Sequence, residues 1–226
     1  MTRILVVSFL LALGAAAAAA QTAGRTVQAT GSATILATPD QAQIDLGVVT
    51  NGATAQDSAQ QNATMTTAVL AALKSVLGSS GTVQTVSYYV TPRYSSATGQ
   101  SNVLIGYTTT NTVRVTTTDL SIIGKLIDAA NQAGANSVGN LSFGLQDPEP
   151  KVQQALTQAT KQAMTHAAAI AAGLGATLGP VVTALQDSSY TPVVLPAAAG
   201  GGAATTPVQT GTVSVYASVT VTAQLQ

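Results

Sequence analysis

Apolar residues recur along the chain with two periods, and each period marks one kind of element. From Val27 to Ala37 they alternate. Val27, Ala29, Gly31, Ala33 and Ile35 share one face, with Thr26, Gln28, Thr30, Ser32 and Thr34 on the other, which predicts a half-buried strand. Pro39-Asp40 punctuates the run, and Ala42, Ile44, Leu46 and Val48 resume it as a second strand. Thr54-Ala-Gln-Asp57 has the form of a capping box. Met65, Val69, Leu73, Val76 and Leu77 then recur at spacings of three and four until Gly78 and Gly81, which predicts a helix over 54–77. The β-rich stretches 82–93 and 103–117 flank SSATGQSN as a long hairpin. In its second strand Val103, Ile105, Tyr107, Val113 and Val115 point one way and Arg114 the other.

Thr118-Asp119 caps a second helix with an Ile123, Leu126, Ile127 and Ala130 stripe that stops at Gly134, and Leu141, Phe143 and Leu145 mark the next strand. Asp147-Pro-Glu-Pro150 leads a third helix whose Val152, Leu156, Ala159, Ala163, Ala167, Ile170 and Leu174 keep helical spacing. The stripe is narrow and alanine-rich, so its neighbour packs close. A strand over 181–186 follows, then a Pro/Gly/Ala-rich segment over 187–211 that reads as a flexible insertion, then a closing strand with Val213, Val215, Ala217, Val219 and Val221 on one face. The order is ββαββαβαββ, an α+β fold with an antiparallel or mixed sheet backed by three helices. Residues 41–146 form a ferredoxin-like split-βαβ core. Periodicity leaves open whether the other elements extend that sheet or build a second lobe.

The amino terminus changes the picture of where the chain works. Arg3, an apolar run from Ile4 to Leu13 and a small-residue tract ending Ala18-Ala19-Ala20 compose a secretory signal peptide over 1–20 with cleavage near Ala20, giving an exported chain without integral membrane insertion. The mature remainder of roughly two hundred residues suits one or two small cores. Cysteine is absent, which removes disulfides and thiolate chemistry. Charged residues make up 7% with a formal net charge of zero, so no basic stripe serves nucleic acid. A near-neutral Thr/Gln/Ser/Asn surface repels its own copies weakly, which favours a homo-oligomer.

Several of these residues resemble a known family. ATPDQAQIDLGVVTNGATAQDSAQQNATMTTAVLAAL, preceded by Gly31, is similar to the start of the SIMPL domain, with its glycines, Pro-Asp, alternating strand and long helix. Ile105-Gly106-Tyr107 with Asn111, Gly134-Ala135-Asn136, Phe143, and the closing Thr206-Pro207, Gly211 and Val215 add to the likeness, which covers about 25–225; Ala29 stands where a glycine is common. The resemblance implies export to the periplasm or cell surface, kinship with periplasmic immunogenic proteins, a link to oxidative-stress defence and oligomeric assembly. It supplies no catalytic residue.

Candidate chemistry is thin. His166 is the single histidine and sits at the edge of the third helix's stripe; with no second His or Cys it reads as a boundary residue hydrogen-bonded to a neighbour. Asp40 and Asp45 have the look of an acid/base pair. Asp40 suits the turn after Pro39, and Asp45 lies opposite Ile44 and Leu46 on the strand, facing solvent. Asn62-Ala-Thr64 and Asn140-Leu-Ser142 match a glycosylation pattern inside predicted elements and are set aside. No catalytic, cofactor-binding or metal residue is assigned. Tyr88, Tyr89, Arg93, Tyr94, Tyr107 and Arg114 cluster on the hairpin, where two readings compete: the rings cover the sheet and the hairpin edge with Arg stacking on them, or the patch is an interaction surface, since Tyr and Arg are favoured at interfaces.

The expectation is a non-enzymatic, self-associating exported protein in envelope maintenance or stress tolerance. The alternative is a periplasmic small-ligand or protein-binding module whose ligand the sequence does not name. A hydrolase would have one histidine and scattered acids to work with. An outer-membrane barrel is disfavoured by three helices and by aromatics at 4%.

Overall fold

The computed structural model describes residues 24–95, 103–191, 193–195 and 210–226. The expected signal peptide lies outside the described residues, as does 196–209 of the expected insertion. Two antiparallel sheets carry the fold. The larger is built from β2 (Gln41–Gly52), β3 (Gly81–Tyr94), β4 (Leu104–Thr117), β5 (Ser137–Gly144) and the short β7 (Val193–Leu195), in the order β3-β4-β2-β5-β7. Leaving β7 aside, that order is the ferredoxin-like one expected for 41–146. Helices α1 (Ala55–Leu77) and α2 (Ile123–Gln132) cover one face of this sheet, over a core that includes Ile44, Leu46, Val69, Leu73, Val113, Leu126 and Phe143.

The remaining elements build a second lobe. β1 (Thr26–Ala37), β8 (Val213–Leu225) and β6 (Leu178–Thr191) form a three-stranded sheet in the order β1-β8-β6, with helix α3 (Glu149–Gly173) lying mainly over β1 and β8. β1 meets β8 along its whole length, from Thr26 opposite Gln224 to Ala37 opposite Val213, with no register shift. The kink at Thr38-Pro39-Asp40 carries the chain from one sheet to the other. Asp40 holds it there, donating its N–H to the Gly144 carbonyl at 3.0 Å and accepting the Gln146 N–H at 2.7 Å.

Alanine decides how α3 packs. Its buried residues are Ala155, Ala159, Ala163, Ala167 and Ala171, a straight i+4 row. The stripe drawn through Leu156, Ile170 and Leu174 is corrected. Leu156 flanks the buried row, while Ile170 and Leu174 are exposed, because a helix that approaches this closely presents only its smallest side chains. Gly31 on β1 is the complement: a Cβ there would run into the Ala159 carbonyl and the Ala163 amide and lie 3.0 Å from the Ala163 Cα.

Other expectations are also corrected. β6 extends over 178–191 and β7 follows at 193–195, so the first part of the expected insertion is regular strand. Its Ser and Thr pair with β8, and backbone pairing outweighs the local loop-like composition. Val103 and Ile105 are exposed rather than facing a core with Val113 and Val115, because the hairpin runs past the end of β2 and no helix covers it there. Asp45 does not face solvent. Its side chain is 13% exposed and takes the Arg114 guanidinium directly across the β2–β4 ladder.

Candidate functional site

The residues that carry the family likeness do architectural work. Thr54 caps α1, accepting the Asp57 N–H at 3.1 Å. Gly106, at φ 145°, lets β4 cross close to β2, where a Cβ would lie 2.6 Å from the Gly52 carbonyl oxygen. Gly134, at φ 110°, turns the chain out of α2. Asn136 follows it and continues the sheet with its side chain. Its Nδ2 donates to the Val49 carbonyl at 2.7 Å, its Oδ1 accepts the Val49 N–H at 2.8 Å, and its own N–H donates to Gly47. The amide thus stands in for a strand residue just before the start of β5.

A buried polar seam under the first half of α1 is the feature that periodicity missed. Ser58, Asn62 and Thr66 continue the stripe of Val69, Leu73 and Leu77, one residue per turn, and are all buried. Asn62 Nδ2 donates to the Val48 and Thr109 carbonyls at 2.8 and 3.1 Å, and its Oδ1 accepts from Thr66. Ser58 shares a hydrogen bond with the Thr109 hydroxyl at 2.8 Å, and the Thr50 hydroxyl donates to the Ser58 carbonyl. The i, i+4 spacing of three polar residues in line with the apolar stripe is the sequence signal that would have shown it. Beside it, Asn111 Oδ1 is buried without a hydrogen-bond partner.

The six candidate surface residues separate into two groups. Tyr88 and Tyr89 are neighbours on β3 and therefore point to opposite faces, opposite Asn111 and Thr110 of β4. Further along the arm Pro92 pairs with Tyr107, Arg93 with Gly106 and Tyr94 with Leu104. Tyr88, Tyr89, Tyr94, Val103, Leu104 and Ile105 are all exposed, Tyr94 at 51% and Ile105 at 54%. Arg114 lies away from them in the middle of the sheet. Its Nε and Nη2 donate to both Asp45 oxygens at 2.7 and 2.8 Å, and this bidentate bond and the carboxylate charge raise its pKa above the usual arginine value.

The helix-free face of the larger sheet carries a groove with polar walls. Depressions of about 130 and 210 Å³ share Gln43 and Ser142; one ends at Tyr190, the other at Asp45, Arg114 and Asn140. Tyr190 is fixed by accepting the Leu145 N–H at 2.5 Å. A bulge in β5 opposite the Ile44–Leu46 segment leaves Gly139 and Asn140 facing Asp45. Asp40 and Asp45 are held by separate partners and form no pair. His166 donates its Nδ1–H to the Thr30 carbonyl at 2.8 Å, as a boundary histidine does. Among the described residues no three metal-ligating side chains gather, and no helix is long and apolar enough to cross a membrane.

The chain is 27% identical over 178 residues to the 26 kDa periplasmic immunogenic protein of Brucella melitensis biotype 1, covering 77% of this chain and 71% of the relative. The protein of the same name from Brucella abortus strain S19 matches to the same extent. Residues 27–223 match the SIMPL family model, described as a protein of unknown function, and since that span takes in both sheets and all three helices, the chain belongs to the SIMPL family.

Proposed function

We propose that this chain is a non-enzymatic periplasmic protein that self-associates and serves envelope maintenance or tolerance of oxidative stress. Its activity then resides in surfaces that meet other molecules. The observation that carries this reading is the set of large apolar side chains left bare on projecting strands, Tyr88, Tyr89, Tyr94, Val103, Leu104 and Ile105 on the hairpin arm and Val181, Val182 and Leu185 on β6. Clusters of this kind mark contact sites. The periplasmic placement is supported by the names of the two Brucella relatives and by the leader.

Sedimentation of the chain lacking residues 1–20 tests the association, with an assembly expected at micromolar concentration and a strict monomer fatal to it. Tyr94→Ser with Leu104→Ser, both exposed, is expected to weaken the wild-type contacts about tenfold or more if the arm takes part, with the far-ultraviolet spectrum unchanged. Deletion of the gene should lower survival under peroxide or envelope stress, and an unaltered strain would remove the physiological half of the proposal.

A second reading, a small-ligand module, is favoured by the groove between Tyr190 and Arg114. A stoichiometric co-purified compound in native mass spectrometry, lost on Gln43→Ala, would promote it. An empty protein in that measurement removes it.

A further inference from the structure

The groove on the helix-free face of the larger sheet is lined by polar side chains that no other described residue holds. Gln41 and Gln43 are two residues apart on β2 and so share this face, and the register sets Ser142 of β5 directly opposite Gln43. The bulge in β5 adds Asn140 to the same wall. None of these four side chains hydrogen-bonds to another described residue. Asn62 and Asn136, by contrast, are engaged through both ends of the amide. Three primary amides and a hydroxyl therefore offer donors and acceptors side by side in the groove.

Charge in the groove is cancelled before any ligand arrives. Asp45 and Arg114 are the charged residues that line it, and Arg114 Nε and Nη2 take both carboxylate oxygens at 2.7 and 2.8 Å. An anion would have to compete with a bidentate bond for the guanidinium, and a cation would have to do the same for the carboxylate. A neutral ligand leaves the pair intact and still finds the Arg114 N–H groups that point away from Asp45. Two glycines shape the walls. A Cβ at Gly144 would strike the Tyr190 hydroxyl, and one at Gly139 would lie 3.3 Å from the Asp45 Cβ, so Tyr190 closes one end and the bulge comes up against the ion pair. The two depressions, about 130 and 210 Å³, together reach the lower end of small-molecule sites, about 300 Å³.

We infer that this groove binds a neutral saccharide, with neighbouring rings in the two depressions and Gln43 and Ser142, which line both, between them. A sugar fits for three reasons. Its hydroxyls each donate and accept, which is what a primary amide answers with its NH2 and its carbonyl. It carries no charge, so the Asp45–Arg114 bond stays whole. Tyr190, at the far end, supplies the aromatic wall that the C–H face of a pyranose ring packs against. A charged ligand of similar size would find the same amides but no free counter-charge, and the site therefore selects by neutrality as well as by shape.

This inference rests on the small-ligand reading given above, and the test separates the two. Native mass spectrometry of the purified chain shows whether any compound is carried, and an empty protein sinks that reading and this inference together. Calorimetry after exhaustive dialysis then uses cellobiose and N,N′-diacetylchitobiose as neutral probes, with glucuronate and alanyl-alanine as charged ones. At least one disaccharide is expected to bind, and Gln43→Ala with Asn140→Ala to raise its Kd at least about tenfold, as the loss of two hydrogen-bonding amides implies. Gln43 is half-buried and Asn140 exposed, so the melting temperature of that variant should stay at the wild-type value. Cellobiose alone points to an unmodified glucan and the acetylated sugar alone to an amino-sugar strand; either supports the inference. Asp45→Asn frees the Arg114 guanidinium and is expected to admit glucuronate, which the wild type rejects. A carried compound with neither disaccharide bound, or glucuronate or the dipeptide bound to wild type in their place, keeps the small-ligand reading and sinks the saccharide. Disaccharide binding that the alanine pair leaves unchanged also overturns the inference, because the sugar then sits elsewhere. An Asp45→Asn variant that still rejects glucuronate removes the role given to the ion pair.

Discussion

Gly31→Val is expected to destabilise the protein by about 3 kcal/mol, lowering the melting temperature by about 6–12 °C for a chain of this size. The added side chain has nowhere to go. Its Cβ alone meets the Ala159 carbonyl and the Ala163 amide, which are helix backbone and cannot rotate aside. Either α3 lifts from β1, separating the alanine row from Val215, Ala217 and Val219, or β1 bends away from β8. Gly173→Ala is the control: a Cβ there meets nothing within 4 Å, and alanine at the end of a helix is neutral or slightly stabilising. Thermal unfolding of both variants checks the argument, and a Gly31→Val melting point within about 2 °C of wild type would show that α3 does not seat on that glycine.

Asn62→Ala is expected to remove about 2–4 kcal/mol, because it leaves the Val48 and Thr109 carbonyls and the Thr66 hydroxyl without their buried partner. Asn62→Asp isolates the cause. It keeps the size but replaces two donors with a carboxylate facing two carbonyls in a site that is fully buried. Burial and those oxygens raise the folded-state pKa of such a carboxyl above its unfolded value. The proton therefore stabilises the fold, and the aspartate variant should regain stability as the pH falls from 7 toward 5, whereas the alanine variant should not. Urea titrations at both pH values measure the difference. Parallel pH responses would mean that the seam acts through shape alone.

The substitutions that probe stability and those that probe the proposed association fall at different sites. The first two substitutions act where α3 and α1 seat on their sheets, and neither touches the hairpin arm. The serine substitutions proposed for that arm change exposed positions only. Melting temperature and oligomer size should therefore respond to different variants, which makes each reading independently testable.

Much of the fold was legible because its signals are local. Ile44, Leu46 and Val48 announce a buried strand face by alternation, and Ile123, Leu126, Ile127 and Ala130 announce a helix face by their spacing; all are buried as expected. The polar seam escaped because Ser58, Asn62 and Thr66 look like solvent residues until their partners on β2 and β4 are known. Asp45 was misread for the same reason, its partner Arg114 lying 69 positions away in sequence. Of the candidate surface, the type of residue was readable, but which tyrosines share a face depends on the strand register.

By itself the sequence determined most of the elements, the buried faces of β2 and α2, the low charge and the family, since each follows from the order and chemistry of near neighbours. Only the tertiary structure decided that β1, β6 and β8 form their own sheet, that Gln162 and His166 of α3 hydrogen-bond the backbone of β1, and that Arg114 belongs to Asp45 and not to the tyrosines. Those outcomes depend on hydrogen bonds and contacts between residues far apart in the chain, and no local period encodes which distant strand completes a backbone ladder.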